Sequence, residues 1–397
     1  MNDDDYGNLL LRPLDTGAPD GPSKIDVAKA MKDGLRVRRV RAWSSAAAVA
    51  GVAVAITGGV LVLRPPAPQT PPALPADPAL PTACTPSMLP MGDAKSASVN
   101  AGDPSGTYLV GTSEPVDGGD HDVLVWRNGK LVAAVPQKSP KVAMEDINAS
   151  GIAVGSTVAG NTEPYALHDG EITRMKGTGN PVAINDAGVV AGDTEGARSG
   201  SVPQRWSSWD AEPELMVLPD GMTEGQAFDI TEDGTILTAL GSRAASALYL
   251  WHADGSIERI APPKAAPGKE AEVRAIAIHF GWVYAEVASS VRGSAGFGAA
   301  VSALHRYEPG SRTWQKLNDD RYVVQVPAVQ RRGGGFIQDA PVVYVGDQIL
   351  RLPKLEKYED DSFGVTFISE DARVVAGSNM SGIAAERPVV PIIWRCD

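Results

Sequence analysis

Short apolar runs broken by polar turns recur along most of the chain. INASGIAVGS begins at Ile147, and INDAGVVAGD begins at Ile184, 37 residues later. Both read Ile-Asn-x-x-Gly, then an apolar run, then a small residue. ITEDGTILTA at Ile230 fits the same pattern, and ISEDARVVAGS at Ile368 fits with Ala372 in the glycine position. VNAGDPSGTYLVGTS at Val99 fits with a longer turn, while IAIHFGWVYAE at Ile276 and VQRRGGGFIQD at Val329 depart furthest. Asn, Asp and Gly tolerate left-handed backbone, so each copy predicts a strand, a tight turn and a second strand.

The segment after each copy also recurs. DVLVWRNGKLVAAV begins at Asp122, PYALHDGEITRM at Pro164, ALYLWHADGSIERI at Ala247, ALHRYEPGSRTWQKL at Ala303 and PVVYVGDQILRL at Pro341. PQRWSSWDAEPELMVL from Pro203 is a stretched version. Each is an apolar, often aromatic run, a turn, and another strand. One unit is therefore four antiparallel strands in about 37–51 residues, and seven units are counted. Four-stranded units repeated radially make a β-propeller. The reading is all-β: a seven-bladed β-propeller over residues 83–397, preceded by one transmembrane helix and a Pro-rich stalk.

The last unit stops after three strands, at PVVPIIWRC. CTPSMLPMGD, at the start of the predicted ring, resembles the fourth strand of other units. A ring that borrows its final strand from the N-terminal side brings Cys84 and Cys396 together, and these are the chain's 2 cysteines. Outside the cytoplasm such a pair persists as a disulfide.

Ahead of the ring the pattern changes. Residues 42–63 read AWSSAAAVAGVAVAITGGVLVL, 22 residues without a charge. That length suffices to cross a hydrocarbon core of about 30 Å. Lys24, Lys29, Lys32, Arg36, Arg38, Arg39 and Arg41 precede it; after Arg64 no Lys or Arg appears until Lys95. The positive-inside rule places residues 1–41 in the cytoplasm and the ring outside, with Trp43 at the interface. A cleaved signal peptide is the alternative, but its apolar region is shorter and its lead is not 41 residues. Residues 64–82 (RPPAPQTPPALPADPALP follows Leu63) predict an extended, semi-rigid linker. The segment at 1–41 reads as mostly disordered. Within it Ile25, Ala28, Met31 and Leu35 recur at helical spacing behind Ser23, which predicts a short helix over 24–41.

The Ile-Asn-x-x-Gly-x-x-x-Gly units resemble the HAF-type repeats of extracellular bacterial proteins. The resemblance covers residues 96–397 unevenly; it implies an extracytoplasmic propeller and no activity. The Ala-rich anchor and Pro-rich stalk look actinobacterial. The basic stub at 24–41 loosely resembles the cytoplasmic ends of actinobacterial membrane proteins that regulate extracytoplasmic-function sigma factors.

Composition then narrows the function classes. A net charge of −12 opposes nucleic-acid binding, which needs a basic face. No Walker loop, GxSxG elbow or HExxH occurs, so no cofactor and no catalytic residue is assigned. The acidic run DGGDHD at Asp117 offers oxygen ligands, but without a known calcium-loop spacing. His168 and His252 sit beside turns between outer strands and read as surface residues. Trp126, Trp206, Tyr249, Trp251 and Trp394 read as core between blades.

Within each hairpin the turns are short and share one face of the ring. The longer connections, at 112–121, 156–163, 193–202, 287–300, 378–388, 262–272 and 354–362, share the other. Variable loops on a rigid scaffold carry recognition. Candidate contacts there are Asp117, Asp120, His121, Glu163, Asp193, Glu195, Arg198, Arg292, Tyr358 and Arg387. The leading expectation is a non-enzymatic, single-pass, cell-surface module that meets the lipid bilayer through 42–63 and an extracellular protein or glycan through its loops. The alternatives are a transmembrane regulator, whose segment at 24–41 acts on a cytoplasmic protein, and a hydrolase built on the ring.

Overall fold

The computed structural model describes residues 77–113, 121–137, 141–158, 162–194, 200–241, 247–265, 267, 269–291, 302–317, 341–359, 361–379 and 388–397. All lie in one compact unit, Thr70–Asp397. The apolar run at 42–63, the stub at 1–41 and the stalk up to residue 76 lie outside the described residues. Among the described residues no helix is long and apolar enough to cross a membrane.

The first strand, β1 (Cys84–Met88), is set apart from those after it. Blade one is β2 (Ala97–Gly102), β3 (Tyr108–Ser113), β4 (Asp122–Arg127) and β5 (Lys130–Pro136). Blade two is β6 (Val142–Ile147), β7 (Ala153–Thr157), β8 (Pro164–His168) and β9 (Glu171–Arg174). Blade three is β10 (Asn180–Ile184), β11 (Val190–Asp193), β12 (Pro203–Trp206) and β13 (Pro213–Leu215). Blade four is β14 (Gly225–Ile230), β15 (Ile236–Leu240), β16 (Ala247–Trp251) and β17 (Ile257–Ile260). Blade five is β18 (Lys269–His279), β19 (Trp282–Val291), β20 (Ser302–Glu308) and β21 (Thr313–Lys316). A hairpin, β22 (Val342–Val345) and β23 (Gln348–Arg351), comes next, and then β24 (Phe363–Ile368), β25 (Val374–Asn379) and β26 (Pro391–Cys396). The closing blade has the order β1-β26-β25-β24, so the N-terminal strand supplies its outer edge as expected.

The count differs from the expected seven. Among the described residues there are six four-stranded sheets and one two-stranded sheet, β22–β23. The inner turn of blade five meets that of the closing blade directly, with His279 Nδ1 3.2 Å from Glu370 Oε1. The β22–β23 hairpin packs Val343, Val345, Leu350 and Leu352 into one cluster with Phe280, Val365 and Trp394. An apolar run, a turn and a second strand report a hairpin; they do not report whether an inner pair accompanies it. The VQRRGGGFIQD half of the sixth unit lies outside the described residues, so six complete blades are described.

The repeat has a physical basis in the inner hairpins. Each of the six complete blades carries a register shift in its inner strand, leaving one extra residue: Asn100, Glu145, Val182, Phe228, Ile276 and Thr366. The bulged strand crowds its neighbour. A Cβ on Gly155 would stand 1.9 Å from the Ala143 carbonyl oxygen, so the second glycine of the motif is steric. The first glycine serves the turn: Gly151 has φ +77°, and Ala372 adopts φ +58° where the closing blade lacks the glycine.

The motif's Asn closes the turn and ties blade to blade. Asn148 Oδ1 accepts the amides of Ser150 and Ile152, while Nδ2 donates to the Asn185 carbonyl of the next blade, all at 3.1 Å. Asn185 repeats the arrangement, donating to Thr231 O at 3.1 Å. The apolar residues pack between neighbouring blades, as where Val110 and Val125 meet Met144 and Ile147. Trp126, Trp206 and Trp394 are fully buried. Their indole N–H groups donate to the carbonyls of Pro90, Lys176 and Pro353, each in the connection entering the same blade.

Candidate functional site

The inner strands frame the ring axis, and their polar side chains serve backbone there. Asn100 donates to Met144 O and Thr366 to Val99 O, each across a blade boundary, at 3.0 and 2.9 Å. Asp146 accepts the Ile184 amide and Asp229 the Ile278 amide, at 2.8 and 2.9 Å. Buried amides and carbonyls need partners, so this belt is scaffolding.

Four expected loop-face residues are described, on different parts of the ring. His121 precedes β4 and places Nδ1 2.8 Å from Ser113 O, which closes the base of its loop. Glu163 pairs with Arg174 at 3.1 Å and accepts from the Tyr165 hydroxyl at 3.3 Å. Asp193 is buried and accepts from Ser201 Oγ at 3.1 Å, beneath its loop. Tyr358 packs in the core with Val343 and Trp394. None of these contacts joins one of the four to another. Asp117, Asp120, Glu195, Arg198, Arg292 and Arg387 lie outside the described residues.

Two polar groupings were not singled out in the sequence. The first lies at the short-turn face. Asp186, Glu232 and Glu370 each come directly after the turn-opening residue of their own blade. Asp186 Oδ1 accepts the Ala149 amide at 2.8 Å, and Glu232 Oε2 accepts the Asp186 amide at 2.9 Å. Burial holds the Glu232 carboxyl above its ordinary range; the Asp186 amide opposes that, and the charges of Asp186 and Glu370 add to it. Burial raises Glu370 too, against a hydrogen bond from the Phe280 backbone. His279, beside Glu370, is pushed down to about 3 by burial and is neutral at pH 7. Aligning the repeats on the residue after their Ile, which is Asn185, Thr231 or Ser369, places these carboxylates in one column. Among the described residues no three His, Cys, Asp or Glu side chains are grouped as metal ligands.

The second grouping joins distant parts of the chain. Arg306 on β20 is 4% exposed, and its Nη1 lies 2.9 and 2.8 Å from the two carboxylate oxygens of Asp77. The guanidinium lies 3.8 Å from the ring centroid of Trp282. No sequence signal connects residues 229 apart on such different segments.

The arrangement offers hydrogen bonding and ion pairing. No protein family matches the chain, and no curated protein does. Solved β-propellers resemble its fold. One, reported for prolyl endopeptidases, is 10% identical with a TM-score of 0.48, over 76% of this chain and 50% of that one. The chain thus spans half the length of that protein. Oligogalacturonate lyase in complex with manganese is 10% identical with a TM-score of 0.48, over 81% of this chain and 96% of that one. A putative TolB from Agrobacterium tumefaciens is 14% identical with a TM-score of 0.39, over 56% of this chain and 80% of that one.

Proposed function

We propose that the chain is a single-pass, membrane-anchored extracytoplasmic propeller acting as a non-enzymatic binding or scaffold module at the cell surface. The observation that carries this reading is the seal of the ring. Cys84 and Cys396 form a disulfide between its first and last strands. Such a bond persists in oxidising compartments and is rare in the cytoplasm. The charge asymmetry around residues 42–63 supports the same side of the membrane. In this reading the stalk at 64–82 lifts the ring off the bilayer. The long connections between second and third strands meet an extracellular protein or glycan.

The test is protease added to intact cells. Residues beyond about 64 are degraded or released and the stub stays protected. Protection of the ring overturns the orientation. A cell-surface capture experiment then compares the intact protein with a variant whose 112–121 connection is shortened; undiminished capture by every such loop variant removes the loop face as the recognition surface.

A second reading is favoured by the Asp77–Arg306 contact, which ties the segment entering from the stalk to the ring. Here the propeller senses, and residues 24–41 act on a cytoplasmic partner such as a sigma factor. Capture of a cytoplasmic protein that is lost on deleting 24–41 supports it.

A further inference from the structure

We propose that Arg306 forms a carboxylate-binding pocket that the chain keeps occupied with its own Asp77, and that takes a free carboxylate when Asp77 is removed. The walls are supplied without Asp77. Gln315 Oε1 on β21 accepts Arg306 Nε at 2.8 Å, which fixes the plane of the guanidinium. Trp282 on β19 supports its face at 3.8 Å. Gly346, in the β22–β23 turn, closes the far side: a Cβ there would stand 2.5 Å from Asp77 Cγ. Tyr284, 1% exposed, lies close enough to feel both charges, its phenol raised by burial and lowered by Arg306. What these walls leave open is Nη1, aimed at both oxygens of one carboxylate.

A guanidinium this deeply buried needs an anion, because desolvating an unpaired charge is costly. Among the described residues no blade supplies it. It comes from Asp77, whose side chain is 29% exposed. The next backbone anchor along the chain is Thr82, whose amide donates to Asp397 O at 2.8 Å. Tethering so close to that anchor gives Asp77 a high effective concentration, so it outcompetes a dilute ligand. The pocket therefore recognises a planar carboxylate against a stacked guanidinium, and Asp77 is its built-in occupant.

The test uses the oxidised full-length chain in detergent, with acetate as the probe and chloride at matched ionic strength as control. Asp77→Ala lowers the melting temperature, and acetate at millimolar concentration raises it back toward wild type. Wild type and Asp77→Ala/Arg306→Met do not respond. Should Asp77→Ala fail to fold, its refolding yield is compared in acetate and in chloride, and recovery in acetate alone supports the pocket. An unchanged melting temperature in Asp77→Ala overturns the proposal. So does rescue by chloride, or an equal acetate response in the double variant. None of these outcomes depends on the compartment in which the ring resides.

Discussion

Cys84 lies directly opposite Cys396 in the antiparallel β1–β26 pair, and the disulfide between them closes a ring over 312 residues of sequence. In the chain-entropy picture, a cross-link over so long a loop removes about 5–6 kcal/mol of freedom from the unfolded chain, an upper figure because denatured-state structure reduces it. Cys84→Ser therefore lowers the melting temperature by several degrees. The blades persist, since β1 still pairs with β26 through its backbone. Far-ultraviolet circular dichroism unchanged at 25 °C, with an earlier thermal transition, is the expected result.

Asn148 carries three hydrogen bonds from one side chain that is 1% exposed. Asn148→Ala leaves the Asn185 carbonyl and two turn amides without those partners. The loss is about 1–3 kcal/mol for a buried group left unsatisfied. Replacing exposed Ala149 with Ser in the same turn changes little. Urea unfolding of the two variants should separate them at the midpoint with the slope preserved.

Two glycines of the repeat respond differently to alanine. At Gly188, φ is +82° with nothing within 4 Å of the added Cβ, so the cost is that of left-handed backbone, about 1–2 kcal/mol. At Gly155 the added Cβ meets the Ala143 carbonyl oxygen at 1.9 Å, and one of the two strands must shift. Gly155→Ala therefore unfolds blade two or lowers expression sharply, whereas Gly188→Ala purifies normally. Similar behaviour of both variants contradicts the steric origin of the second glycine.

His279 gives the ring a dependence on acid. The unfolded imidazole takes up a proton near pH 6.5, and the folded one only near 3, because burial disfavours the charged form. The unfolded state binds more protons between those values, so this contribution is full above about 6.5 and is lost as pH falls toward 3. Glu370 acts in the opposite sense: burial raises its carboxyl, so its contribution is present at low pH and is lost as pH rises through the folded value. A scan of melting temperature from pH 7 to 4 should fall less steeply in His279→Gln than in wild type. Parallel curves remove His279 as the group responsible.

Much of the fold was legible from local pattern. The turn chemistry of Asn128-Gly129 and Asp169-Gly170 is written in adjacent residues, and both pairs take the left-handed backbone that a tight hairpin needs. The third strands β4 and β26 carry continuous apolar runs, as strands buried on both faces do, and Trp126, Trp206 and Trp394 are in the inter-blade core. The number of blades was less legible. The β22–β23 hairpin satisfies the outer half of the repeat, and among the described residues it stands as a two-stranded sheet packed with residues of blade five and the closing blade. The carboxylates at the turn face were hidden by their variety, since Asp186, Glu232 and Glu370 share a column and not a residue type. Tyr358 reads as a loop residue because charged neighbours surround it in sequence; in space it is buried in the same apolar cluster as Val343 and Trp394.

By itself the sequence determined what adjacent residues can enforce: hairpins, their period, the propeller class, and the pairing of the two cysteines at its ends. It could do so because backbone conformation and alternation are decided within a few residues, and because a ring must meet its own beginning. Tertiary structure alone decided the bulge in the inner strand of each described complete blade, the belt of side chains that satisfies the neighbouring blade's backbone, and the encounter of Asp77 with Arg306. Those depend on which edges are left unpaired once the blades pack, and on a buried charge finding its partner wherever the chain passes close enough.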